Sequence, residues 1–357
     1  MNYIATWLCA DTEGEESIFP QTGQISSSQS HQNIYWRCVL LFYASSRRFN
    51  KQERHLFFTN VEQLPVLDGK PVQQALDDLD VEVIYTDFTY KTPKGYFGMF
   101  QNQFYEFSVL EYIAANYKDE QDQFLIVDSD CLFIKPAQTL FIEAQQKGFL
   151  SFEDDCTEDL NIHGLSRKDM QKLYADLLGR SVDEVPGYHL GEFFLASLTN
   201  VRLIINEFME LWPELLRRYA MGLPKFNEEA QTLSFIYYKN GLKASPKRNL
   251  MKRIWTNPVF YRNVDPSDVS LVLWHLPSEK TFGLADLYEA LVKRMPNYGL
   301  KLSNRAYLDL LNKHLAIPYL PAHKLIRYYL YSYYRAGKKR LTRRLDAWLP
   351  KQAAFAG

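Results

Sequence analysis

Two carboxylates close an apolar run in "FLIVDSDCLFIKP", residues 124–136, with Asp128 and Asp130 separated by Ser129. Ionised carboxylates are costly to bury unpaired. In extended chain, residues i and i+2 face the same side, so Asp128 and Asp130 can converge while Ser129 points away. Two oxygen donors on one side suit a hard divalent cation. Magnesium takes one or two protein carboxylates and completes its shell with water and phosphate oxygens, and manganese also accepts imidazole. A solvated strand end or a helix cap would place the same residues there without chemistry, and a lone D-x-D triplet is common by chance.

Further polar residues stand at the ends of other predicted elements. His275 follows "SLVLW", and Lys280 comes five residues later in "WHLPSEK". Neutral imidazole is a good ligand for manganese-like ions, although a strand-terminal His is often only a polar residue. Glu228 and Glu229 open a helix in "NEEAQTLSF". The helix dipole favours carboxylates there, so capping is their plain role. Glu192 sits in "LGEFF", at an expected sheet end.

The elements that must position these groups alternate along the first 130 residues. "YIATWLCAD" reads as a strand ending near Asp11. A helix starts near His31, capped by Ser30, and runs through "NIYWRCVLLFYASS". "RHLFFTN", "VEVIYTDF" and "QFLIVDSD" read as further strands, separated by helices in "VQQALDDL" and "MFQNQFYEFSVLEYIAANY". This alternation predicts a parallel sheet with helices on its faces, and ligands in such folds bind beyond the carboxyl ends of the strands. A helix in "QTLFIEAQQ", a strand in "GFLSFEDD" and an irregular polar stretch from Asp154 to about Gly187 follow. Then come a strand "GEFFLAS", a long amphipathic helix capped by Asn200, a helix closed by Gly241 and a last strand before His275. The final 60 or so residues read as helical.

"FLIVDSDCLFIKP" resembles the DxD segment of GT-A-type glycosyltransferases, most of all the family 8-like group. The resemblance extends over the order of elements from Met1 to Phe282 and includes "GEFFLAS", "NEEAQTLSF" and the late "WHLPSEK". It implies an α/β fold of GT-A, Rossmann-like type: a mixed sheet with flanking helices, forming a catalytic domain over 1–285. A helical extension rich in basic and aromatic residues would cover 286–357. It further implies that Asp128, Asp130 and His275 hold Mn2+ or Mg2+ and that Lys280 meets the diphosphate of a nucleotide-sugar, more commonly UDP-linked. Thr6, Cys9 and Asp11 lie where such folds hold the base and ribose, and Asp128 and Ser129 complete the donor-binding set. Glu229, Glu228 and Glu192 are the acids that could touch the sugar or act as base, with Glu229 favoured by the family-like spacing of Gln231 to Ser234. The family usually has a Gly between the His and the Lys, whereas Pro277 and Ser278 fill this gap here.

Composition is that of a globular protein. Of 357 residues 46% are hydrophobic and 23% charged, enough for a substantial core. The four cysteines make no CxxC pair and no zinc pattern, and are expected as reduced, buried thiols of a cytoplasmic protein. No signal peptide and no membrane-spanning run are read. Charge is uneven: Lys324 to Lys351 carries a net +8 and the rest −9. In "KKRLTRRLDAWLPK", Leu341, Leu345 and Trp348 share one helical face among basic residues, a pattern suited to peripheral contact with an anionic inner membrane surface. A solvated basic helix packed on the catalytic domain is the plainer account. Nucleic acid is not expected, because no binding motif accompanies the charge. A carbohydrate or glycolipid acceptor, as in polysaccharide assembly, follows from the resemblance. Two rivals stand beside it. A nucleotidyltransferase would carry a Gly-rich basic loop after the first strand, where "CADTEGEESIF" is acidic. An inactive GT-A-like binding protein would show no metal dependence.

Overall fold

The structure, a computed structural model, describes residues 1–16, 19, 24–245 and 250–333. The basic segment around Lys338–Lys351 lies outside them.

The expected α/β class is what forms. In chain order the elements are β1 (Asn2–Leu8), α1 (Gln29–Phe49), β2 (Arg54–Thr59), the hairpin β3 (Val66–Leu67) and β4 (Lys70–Pro71), α2 (Val72–Asp78) and β5 (Val81–Tyr85). Then follow α3 (Tyr105–Asn116), β6 (Gln123–Val127), β7 (Cys131–Phe133), α4 (Gln138–Lys147), β8 (Phe149–Leu150) and α5 (Arg167–Leu178). The chain continues through β9 (Phe193–Ser197), α6 (Leu198–Ala220), α7 (Glu229–Lys239), β10 (Met251–Arg253), β11 (Leu273–His275), α8 (Gly283–Tyr288) and α9 (Asn304–Leu315). Residues 322–333 are also helical.

The central sheet has the order β5-β2-β1-β6-β9-β8. Its first four strands are parallel, while β9 runs antiparallel to β6 and β8 antiparallel to β9. The sheet is therefore mixed. Side-chain alternation divides the core between its two faces. Ile4, Leu125 and Val127 enter one apolar cluster with α1, while Tyr3, Ala5, Phe124 and Ile126 enter the other with α3 and α6. On the second face Phe107 of α3 and Phe208 of α6 stack with parallel rings, centroids 3.5 Å apart. Leu284, Leu287, Leu311 and Leu315, from α8 and α9, join the first cluster.

A smaller sheet, β10-β11-β7, sits beside the end of β6. Its register pairs Arg253 with His275 and His275 with Cys131, so Arg253 and His275 stand in one row beside the residue that follows Asp130.

Four local expectations change. Ser28, not Ser30, caps α1: its backbone is extended and its side chain accepts from His31 N. Ser197, not Asn200, caps α6 for the same reason, and Asn200 instead donates to Gly148 O at 2.8 Å. Phe100 takes a left-handed backbone (φ 54), so the predicted "MFQNQF" helix begins as a 3-10 turn at Gln101. The polar stretch after Asp154 contains α5. A capping box between Ser166 and Asp169 starts it, and Met170, Leu173 and Tyr174 bury its inner face.

Candidate active site

A cavity of about 350 Å³ opens beyond the carboxyl ends of β1 and β6, the place where doubly wound sheets bind ligands. Its wall includes Asp128, Asp130, His275 and Lys280. Backbone pairing explains the convergence. Because β9 is antiparallel to β6, Val127 faces Phe193, and Asp128 N donates to Glu192 O at 3.2 Å. Because β11 is antiparallel to β7, Leu276 N donates to Asp130 O at 3.1 Å. Residues far apart in sequence are thus held by main-chain bonds at one corner.

One ligand atom each from Asp128, Asp130 and His275 lies within 4.8 Å of the others. His275 Nε2 is 3.3 Å from Asp130 Oδ2 and 3.7 Å from Asp128 Oδ2. It is buried and makes no hydrogen bond, although it faces two carboxylates. The opposite ring nitrogen, Nδ1, lies 2.9 Å from Glu192 Oε1. Arg253 grips the same Glu192 carboxylate with two bonds of 2.7 and 2.6 Å, and reaches Asp154 at 3.0 Å. Lys280 Nζ bonds Asp130 Oδ2. A bare imidazole nitrogen beside two carboxylates, with a carboxylate fixing the other nitrogen, fits a divalent ion of the manganese or magnesium type.

The charges are unequally settled. Burial, reinforced by Asp130, pushes the Asp128 carboxyl up to about 6. Burial also opposes ionisation of Asp130, but Lys280 and His275 outweigh it and hold that carboxyl below its ordinary range. For His275 burial disfavours the cation, yet Asp130 and Glu192 prevail and push it up to about 9. Glu192 is likewise held well below its usual range against burial, chiefly by Arg253 and His275.

A second polar group lines the same cavity. Glu228 is the N-cap residue of α7 but makes no side-chain cap. Its two oxygens instead meet His163 Nδ1 and Tyr188 Oη. Glu229, next along, is buried and lines the cavity, with Oε2 unpartnered. Burial first, then Glu228 and Glu106, push its carboxyl well above the carboxylate range. Glu106 of α3 is buried with Oε1 unpartnered, and burial and Asp128 raise it similarly.

Of the other residues singled out from the sequence, Cys9 and Ser129 line the cavity. Burial and then Asp11 raise the Cys9 thiol far above its usual value. Thr6 and Asp11 are buried but do not line the cavity; Thr6 lies inside β1, where its N–H donates to Tyr43 Oη at 3.3 Å. Arg253, His163, Tyr188 and Glu106 were not singled out. Each stands in a segment without a motif, and only strand register or packing brings it to the site. All four cysteines are free thiols. No helix among the described residues is long and apolar enough to cross a membrane.

No known protein family matches the sequence, and no curated protein does. Solved structures with a similar chain trace include mouse xyloside xylosyltransferase 1 in its apo form. It is 12% identical with a TM-score of 0.44, over 77% of this chain and 98% of that one. An active-site mutant of LgtC gives 12% and 0.44, over 76% and 86%. The galactosyltransferase LgtC in complex with donor and acceptor sugar analogs gives 12% and 0.43, over 90% and 98%.

Proposed function

We propose that this chain is a metal-dependent glycosyltransferase of GT-A type. It would move a sugar from a nucleotide-sugar, with a UDP-sugar the first choice, to a glycan or glycolipid acceptor. The observation that carries the reading is His275: its Nδ1 is held by Glu192 while its Nε2 stands bare and buried before Asp128 and Asp130.

In this reading Asp128, Asp130 and His275 hold Mn2+ or Mg2+. The ion, when bound, neutralises charge on the donor diphosphate as the sugar leaves. Glu192 and Arg253 act behind the ligands, fixing the ring and its tautomer. Lys280 gives up part of its pairing with Asp130 to meet the diphosphate and offsets charge on the leaving oxygen. Glu229, kept neutral by burial, donates a hydrogen bond to the sugar. Ser129 and Cys9 border the donor, with Thr6 and Asp11 behind them. Residues 1–285 form the catalytic unit and 286–357 an extension whose basic end contacts an anionic membrane surface.

The test is calorimetric titration of UDP, with and without Mn2+, into the wild type, Asp130→Ala and Asp130→Asn. Metal-dependent binding that both substitutions abolish supports the donor site. Metal-dependent binding of another nucleoside diphosphate changes the donor and keeps the site. No nucleotide binding under any metal overturns the reading.

A further inference from the structure

The helix over residues 322–333 packs one face and leaves another, apolar face open. Lys324 and Tyr328 are buried and mark the packed side. Tyr328 Oη donates to Glu279 Oε1 at 2.7 Å and lies 3.2 Å from Thr256 Oγ1. Lys324 Nζ reaches Asp286 at 3.5 Å, and Tyr331 meets Phe282 edge to face with centroids 4.3 Å apart. The open side carries Ile326, Tyr329, Leu330 and Tyr333, between 49% and 75% exposed. Steps of three and four residues put these side chains in one helical stripe, turned away from Lys324 and Tyr328.

A neighbouring turn adds to this surface. Tyr261 N donates to Asn257 O at 3.0 Å and closes the turn. Arg262 Nη2 then donates to Ala316 O at 2.8 Å and to Pro318 O at 3.4 Å, which ties the turn to the chain that enters the helix. Phe260, Tyr261 and Tyr319 lie on these two segments, each 60% or more exposed. Single exposed apolar residues are ordinary. Large ones gathered on hydrogen-bonded segments mark a contact surface. The charges point to what covers it. No Asp or Glu occurs over residues 254–264 or 310–345, while 310–345 holds nine Lys or Arg, of which Lys324 and Arg327 pair with Asp286. A second copy of this chain would bring the same positive charge against it. An anionic bilayer matches both features: its headgroups attract Lys and Arg, and its interfacial layer buries Tyr, Ile and Leu.

We propose that the stripe of Ile326, Tyr329, Leu330 and Tyr333, with Tyr319, Phe260 and Tyr261 beside it, is the surface by which the protein inserts into an anionic lipid bilayer. The reading above gives the membrane only the basic end of the chain, whose attraction is screened by salt. The apolar face adds an anchor that salt does not screen, and stable attachment takes two such signals. The position of the face bears on the active cavity. Trp255 and Lys280 line that cavity, and their neighbours Thr256 and Glu279 hold Tyr328. Phe260 follows Trp255 by five residues, a span of at most about 18 Å. Docking therefore keeps the cavity wall close to the headgroups. Resting on the glycosyl-transfer reading, this favours an acceptor sugar carried on a lipid over one free in solution.

Two measurements on the full chain test it. The first is co-sedimentation with vesicles of phosphatidylcholine alone and of an equal mixture with phosphatidylglycerol. The wild type is expected to bind the mixed vesicles and to keep part of that binding in molar NaCl. Ile326→Ser combined with Leu330→Ser should weaken it at least about tenfold, as two aliphatic side chains no longer leave water. Both are exposed in the protein, so the fold and the response to UDP and Mn2+ should stay as in the wild type. The second is quenching by brominated phosphatidylcholine, read against the wild type. The added tryptophan of Leu330→Trp should be quenched. That of Met209→Trp, exposed on α6 across the central sheet, should not. Binding that survives both serines and is lost in molar NaCl assigns the contact to the basic end alone and overturns the apolar face. Absence of quenching at residue 330 in vesicle-bound protein overturns it too, as does a dimer in sedimentation velocity that the two serines dissociate. No binding to the mixed vesicles overturns both membrane contacts and leaves the donor site to its own UDP titration.

Discussion

His275 Nδ1 lies 2.9 Å from Glu192 Oε1, and this turns the other ring nitrogen toward Asp128 and Asp130. Glu192→Gln keeps the shape but weakens the charge that fixes ring and tautomer. Mn2+ affinity should fall by about 10- to 100-fold, read by titration of the ion alone. Unchanged affinity would remove Glu192 from the site's support and leave it as the partner of Arg253.

Lys280 bonds the same Asp130 oxygen that an ion would use. Lys280→Met should therefore raise the affinity for Mn2+ without nucleotide and lower the affinity for UDP. Turnover of UDP-sugars should drop by about 100-fold, as for loss of one electrostatic stabiliser. A parallel fall in both affinities would instead show that Lys280 holds the site together.

The pH response has a definite sign. Burial disfavours the His275 cation, but Asp130 and Glu192 raise the group from 6.5 to about 9. In the ion-free protein its charge stabilises the fold fully below about 6.5, and that contribution is lost as pH rises through about 9. A metal needs the neutral ring, so Mn2+ affinity should climb with pH between these values, with about one proton released per ion. Calorimetry at pH 7.5 in two buffers of different ionisation enthalpy counts that proton. No buffer dependence would exclude His275 as a proton-releasing ligand.

Gly283 opens α8 where the C-terminal segment meets the main core. A Cβ there would lie 2.1 Å from Glu279 Oε2 and 2.5 Å from the backbone oxygen of His314. Glu279 is fully buried and bonded to Gly283 N, Thr256 and Tyr328. Gly283→Ala should cost about 1–3 kcal/mol through overpacking, measured by urea unfolding. A stability equal to wild type would mean that this junction yields freely.

Much of the scaffold was legible in the sequence. The apolar runs around Ile4, Phe57 and Leu125 mark buried strands because parallel strands covered on both faces need continuous hydrophobicity. Asp128 and Asp130 stand out because carboxylates at the end of such a run demand a cation or solvent. Helix starts were placed only to within a few residues, since neighbouring serines and asparagines compete for each cap. The helix over Arg167–Leu178 was missed because its apolar residues are sparse among polar ones, although Ser166 and Asp169 carry its capping signal.

What the sequence by itself determined is the alternation of buried strands and amphipathic helices, and the residues whose chemistry suits a metal-binding corner. Periodicity and residue type are local properties, so they survive without coordinates. Which groups meet was decided only by tertiary structure. The reversal of β9 against β6 brings Glu192 to Asp128. The register of β10, β11 and β7 sets Arg253 and His275 in one row. The start of α7 seats His163 against Glu228. The contacts of His163 with Glu228, Arg253 with Glu192 and His275 with Glu192 join residues 60 or more positions apart. They depend on strand direction and register, which the whole core selects through burial and backbone pairing and no short segment encodes.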